Sequence, residues 1–130
     1  MKFYSEKSQS ALDSCHPDLK TIFTEALQIM DHTILEGYRS SDRQHELFLE
    51  KKTKVRLGKH NSTPSRAVDA IPYPINWEDH KRMYLFAGIV LAVAHNLGIK
   101  IRWGGDWDGD TEVLDNTFND LVHFELAAER

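Results

Sequence analysis

A chain of 130 residues, 41% hydrophobic and 28% charged with a net charge of −4, fits one globular domain around a single modest core. That balance excludes a broad polycationic nucleic-acid surface, so no nucleic-acid partner is expected. Cys15 is the only cysteine, so no intrachain disulfide forms; a metal site has to draw on His and carboxylate ligands, in keeping with a reducing compartment.

In chain order, the first seven residues lack the apolar segment of a secretory signal, and standard secretion is not expected. Leu12, Leu19, Ile22, Phe23, Ala26, Leu27 and Met30 recur at three- and four-residue spacing, which predicts a helix beginning after His16-Pro17, with Pro17 in its first turn. Residues 33–39 read as a strand ending at Arg39, and Ser40-Ser41-Asp42 as the turn and cap of a helix reaching about Glu50. The basic stretch 51–66, around Gly58 and Pro64, reads as a solvated loop. A short strand follows at 67–72, ended by Pro72 and Pro74. Residues 76–79 cap a helix over 79–96 that Gly98 stops. The apolar run 84–94 is too short to span a bilayer, so a buried helix and no membrane span are expected. Residues 99–103 alternate as a strand, and a Gly- and Asp-rich loop leads to a last strand at 122–126. Helices interspersed with short strands predict an α+β fold, a small antiparallel sheet flanked by helices.

Such a sheet would bring Asp69 close to His123. His123 and Glu125 are two apart and share a face, whereas Asp120 falls on the other face unless the chain bends at Leu121-Val122. Asp69 lies between Val68 and Ala70 in an apolar strand, where a carboxylate needs a partner. Together with His60, these residues offer what a zinc ion with a water-activating carboxylate requires. His16, His32, His45, His80 and His95 show no comparable pattern and are assigned to no metal. Asp106, Asp108 and Asp110, alternating beside Gly109, resemble the start of a calcium loop, although Thr117 stands where an EF-hand would have its last Glu; calcium is expected here as a modulator, against a plain solvated loop. Trp103 and Trp107 are candidates for the cleft wall or for an aromatic core.

Four motifs in order carry a family resemblance: Gly37-Tyr38-Arg39-Ser40 with Gln44; His60 through Asp69; Trp103-Gly104-Gly105-Asp106-Trp107; and Asp120-Leu121-Val122-His123-Phe124-Glu125-Leu126. The chain resembles the zinc D,D-carboxypeptidase and L-alanyl-D-glutamate endopeptidase superfamily, and within it the compact single-domain bacteriophage endolysins, over residues 5–126. The resemblance implies a Hedgehog/DD-peptidase-like fold, with residues 1–130 forming one zinc peptidase domain. It implies that His60, Asp69 and His123 bind Zn²⁺, that Asp120 is the catalytic base, and that Arg39 holds or polarises the substrate. Glu125 is expected either to orient a ligand histidine or to lie exposed on the strand. The family usually has Ser where this chain has Gly58, and a shorter spacer than the eight residues between His60 and Asp69.

On this reading the protein is a zinc-dependent phage peptidase acting on peptidoglycan stem peptides, with the L-Ala–D-Glu bond as the expected target. It would be a monomer that accumulates in the host bacterial cytoplasm and reaches the cell wall with the help of a holin. The alternatives are a D-Ala-D-Ala carboxypeptidase or dipeptidase, a catalytically silent wall-binding module of the same fold, and a calcium-binding structural domain.

Overall fold

The computed structural model describes residues 1–49 and 59–127. Its elements are α1 (Glu6–Asp13), α2 (Pro17–Ile29), β1 (His32–Glu36), α3 (Ser41–Leu49), a 3-10 turn (Lys59–Asn61), β2 (Ala67–Pro72), α4 (His80–Asn96), β3 (Ile101–Gly104) and β4 (Asp120–Leu126). Glu50, the basic residues Lys51, Lys52, Lys54 and Arg56, and Gly58 lie outside the described residues.

The four strands form one antiparallel sheet in the order β1-β2-β4-β3. Period-two alternation divides its residues between two faces. Val68, Ala70, Phe124 and Leu126 turn to the helices, where Phe124 meets Phe23 of α2 at 5.4 Å and Phe86 of α4 at 5.9 Å between ring centroids. Each of these fully buried rings contributes about 1.5–3 kcal/mol from area removed from water. Asp69, His123 and Glu125 take the opposite face.

The predicted elements are present, with shifts that have local causes. Leu12 belongs to a separate helix, α1, which Ser5 caps by accepting from the Ser8 amide. Pro17 does open α2, where its missing N–H costs nothing. Strand β1 ends at Glu36, three residues before Arg39. A Cβ at Gly37 would stand 2.2 Å from the Ala11 carbonyl and 2.4 Å from Ser14 Oγ, so the chain turns away where it crosses the end of α1. In α4, Asp79 is the cap, accepting from the Arg82 amide, and Gly98 leaves the helix at φ +73°.

The bend required in the last strand is present. Trp103 pairs with Phe124 but Gly104 pairs with Asp120, so three residues of β4 loop out opposite one peptide of β3. The Trp103 indole donates to the Leu121 carbonyl inside that loop at 2.9 Å. The bulge breaks the strict alternation that would set Asp120 on the face away from His123.

Candidate metal centre

Strands β2 and β4 set Asp69 directly opposite His123. The 3-10 turn delivers His60 from below, because its backbone is tied to the chain after β1: the Arg39 amide donates to the His60 carbonyl at 2.7 Å and Asn61 Nδ2 to the Arg39 carbonyl at 2.7 Å. His60 Nε2 and His123 Nδ1 each lie 3.2 Å from the same oxygen, Asp69 Oδ1. One ligand atom from each of the three residues falls within 4.8 Å of the others.

The outward nitrogens decide the tautomers. His60 Nδ1 donates to the Gly37 carbonyl at 2.7 Å, and His123 Nε2 to Glu125 Oε1 at 2.9 Å. In neutral rings, the form that binds a metal, the inward nitrogens carry lone pairs aimed at one carboxylate oxygen; without a metal, a proton on His123 takes that place. Three acceptors converging in a buried place repel one another unless a cation lies among them, and two imidazoles with one carboxylate form the donor set of a zinc site. The residues fit the ion that the sequence implied.

The local field has the same sign. Burial opposes a charged ring, but the bonds to Asp69 and Glu125 and the charges of Asp69 and Asp120 raise His123 to about 9. Burial would also raise Asp69; hydrogen bonds from His123 and His60 outweigh it and hold this carboxyl well below the ordinary range. Asp120 moves the other way. Burial and the Asp69 charge raise its pKa, against smaller opposing effects of His123, His60 and Arg39, which places its carboxylate within electrostatic reach of the whole cluster.

Arg39 is 8% exposed, and its guanidinium is shared. Nε and Nη2 donate to the two oxygens of Glu36 at 3.0 and 2.8 Å, and Nη2 reaches Asp69 Oδ2 at 3.4 Å. The second oxygen of Asp69 is thus held by Arg39 while the first faces the two histidines. Glu125 is buried and collects three partners: His123, Lys59 at 3.0 Å and Arg102 at 3.0 Å. Trp103 belongs to the core at 4% exposure, and the Trp107 ring lies 5.5 Å from the His123 ring. The sequence did not single out Glu36 or Lys59 as part of the site. Only an acid three residues before Arg39 and a base adjacent to His60 hinted at them.

The acidic loop forms a second cluster, with one oxygen from each of Asp106, Asp108 and Asp110 within 4.8 Å of the others. Asp106 is 8% exposed; its Oδ2 accepts from the Thr111 amide at 2.9 Å, and its buried Oδ1 has no hydrogen-bond partner.

The profile of the phage L-alanyl-D-glutamate peptidase family matches residues 1–127. The chain belongs to that family. It is 26% identical to the L-alanyl-D-glutamate peptidase of Escherichia phage T5 over 134 residues, covering 95% of this chain and 97% of the relative. The crystal structure of the Serratia marcescens L-Ala D-Glu endopeptidase ChiX superposes with a TM-score of 0.78 at 27% identity, over 95% of this chain and 89% of that one. Among the described residues, no helix is long and apolar enough to cross a membrane.

Proposed function

We propose that this protein is a zinc-dependent endopeptidase that hydrolyses the L-Ala–D-Glu bond of peptidoglycan stem peptides. Family membership supports the reaction class, and the observation that carries the metal is the convergence of His60 Nε2 and His123 Nδ1 on one Asp69 oxygen, with both outward nitrogens donating away. Zinc, when bound, supplies a Lewis acid and acidifies a water toward neutrality. Asp120 accepts the proton of the attacking water and delivers it to the leaving amine; a carboxyl raised by burial is better matched to that transfer than a free one. Arg39, braced by Glu36, fixes the second oxygen of Asp69 and bears on the oxyanion side of the substrate. Glu125 holds His123 in the tautomer that presents Nδ1.

The chain acts as a single catalytic domain and monomer, waits in the host cytoplasm, and gains the wall through a holin. Calcium takes the acidic loop as a modulator, with the partnerless Asp106 Oδ1 as the supporting observation. Mass spectrometry of digested muropeptides tests the activity: new amino termini on D-Glu, and about one zinc per purified chain, are the expected results. Release of free D-Ala in place of those termini would assign the carboxypeptidase reaction, and intact muropeptides with zinc-loaded protein would leave a silent module.

A further inference from the structure

A groove of about 200 Å³ opens directly beside Asp120, which forms part of its wall. Trp77 lines it from the approach to α4, His80 and Met83 from the first turn of that helix, and Asn119 from the residue preceding the base. Its volume lies below the roughly 300–1,000 Å³ of sites that enclose drug-sized ligands, so it accommodates one amino-acid residue rather than a run of peptide.

Besides Asp120, the polar side chains lining this space, Asn119 and His80, can both donate. Asn119 Oδ1 already accepts from Asn116 Nδ2 at 2.8 Å, so Asn119 presents its NH₂. Among the described residues, no hydrogen bond or ion pair engages the exposed imidazole of His80. Trp77, 55% exposed, supplies an apolar wall.

We propose that this groove is the subsite for the residue carrying the leaving amine, and that His80 and Asn119 recognise the free α-carboxylate of a D-glutamyl residue there. The inference rests on the endopeptidase reading above. A group that hands a proton to the leaving nitrogen must come within hydrogen-bond distance of it. The Cα bonded to that nitrogen therefore sits against Asp120, and the groove is the space beside it. In a stem peptide continued through the glutamyl side chain, the α-carboxylate hangs on that same Cα and is an acceptor in search of donors. Among the described residues that line the groove Asp120 is the only acid, and it holds a proton at the stage when the amine departs.

The test is steady-state kinetics on two synthetic stem peptides, L-Ala-γ-D-Glu-L-Lys with a free α-carboxylate and the same peptide with an α-carboxamide. Asn119→Asp retains an acceptor for Asn116 while replacing the donor by a negative oxygen, and His80→Leu removes the imidazole. Each variant should raise KM for the carboxylate peptide about tenfold, the size of a lost hydrogen bond to a charged group, with less than a threefold rise for the carboxamide. The amine-side product, γ-D-Glu-L-Lys, should shift the His80 ring signals in an NMR titration of the zinc-loaded protein, and should bind about tenfold more weakly to Asn119→Asp. Equal KM changes for both peptides, or unshifted His80 signals at saturating product, would overturn the subsite while leaving the activity intact. A wild-type protein that cleaves neither peptide would overturn both readings.

Discussion

On the proposed reading, ligands and base make different demands on one ion, and single substitutions separate them. His60→Ala and His123→Ala each remove a ligand and should abolish both bound zinc and hydrolysis. Asp120→Asn keeps all three ligands, so it should retain zinc while turnover falls by roughly two or more orders of magnitude, as for loss of a general base; near-normal turnover would move that role to another group. Arg39→Lys tests the guanidinium fork, since a single ammonium cannot span both Glu36 oxygens and Asp69 Oδ2. Zinc affinity, read by chelator competition, and kcat should each fall about tenfold, the lower end of what loss of a group orienting a ligand costs; unchanged values would place Arg39 outside the working site. At this scale the sequence was most legible for His60, Asp69 and His123, spaced within motifs, which the fold brings together. Glu36 and Lys59 were less so: Glu36 meets Arg39 only through the turn that follows β1, and Lys59 gains its role from a partner distant in sequence. Lys59 Nζ binds Glu125 and the Leu126 carbonyl, 66 and 67 positions away, yet in the sequence it reads as one more member of a basic run.

At the scale of elements, the strand most easily read was a short apolar run ended by prolines. Ala67–Pro72 emerges with its predicted bounds because four apolar residues surround one carboxylate. Helix α1 was missed because it buries only Ser8 and Leu12, too few positions for a period to show. The bend in β4 was legible as a need but not as a mechanism, which is a three-residue bulge around Gly104. A Cβ there would stand 2.0 Å from the Asp120 carbonyl oxygen, so Gly104→Ala must displace the backbone of the base. It should lower kcat at least tenfold by misplacing a group that acts only at hydrogen-bond distance, while zinc content stays near one per chain; full activity in a folded Gly104→Ala protein would show that the bulge does not set the position of Asp120. The acidic loop joins β3 to that same strand. Burial and the neighbouring Asp108 and Asp110 carboxylates push Asp106 upward, a strain that a divalent cation relieves. Added calcium should therefore raise the turnover of zinc-loaded wild type and leave a variant carrying Asp106→Asn, Asp108→Asn and Asp110→Asn unresponsive. An identical response in both proteins, or none in wild type, would reduce this loop to a solvated turn.

For the whole molecule, the titration that reports on folding lies across the sheet from the metal centre. His32 is 3% exposed, ringed by Tyr4, Phe23 and Phe86, and its Nδ1 donates to the Met30 carbonyl at 2.8 Å. Burial lowers its pKa to about 4, against weaker raising effects from the Met30 bond and Asp31. An unfolded chain takes up this proton below about pH 6.5, whereas the native state refuses it until about pH 4, so between these values the unfolded state binds more protons and stability falls with pH. The loss runs at up to about 1.4 kcal/mol per pH unit and totals about 2–3 kcal/mol by pH 4.5. Asp69 and Glu125, whose pKa values are lowered in the fold, stabilise above the ordinary carboxylate range and lose that contribution only as pH falls through and below it. His123, raised to about 9, changes its contribution above the same window, where rising pH removes it. Zinc release at low pH affects any protein with the same ligands. Comparing His32→Phe with wild type in the same zinc state removes that shared part, and denaturant unfolding at pH 7.0, 6.0, 5.0 and 4.5 should show the variant losing less stability per pH unit than wild type. Parallel stability curves for the two proteins across that range would mean that His32 does not carry the acid sensitivity of this fold.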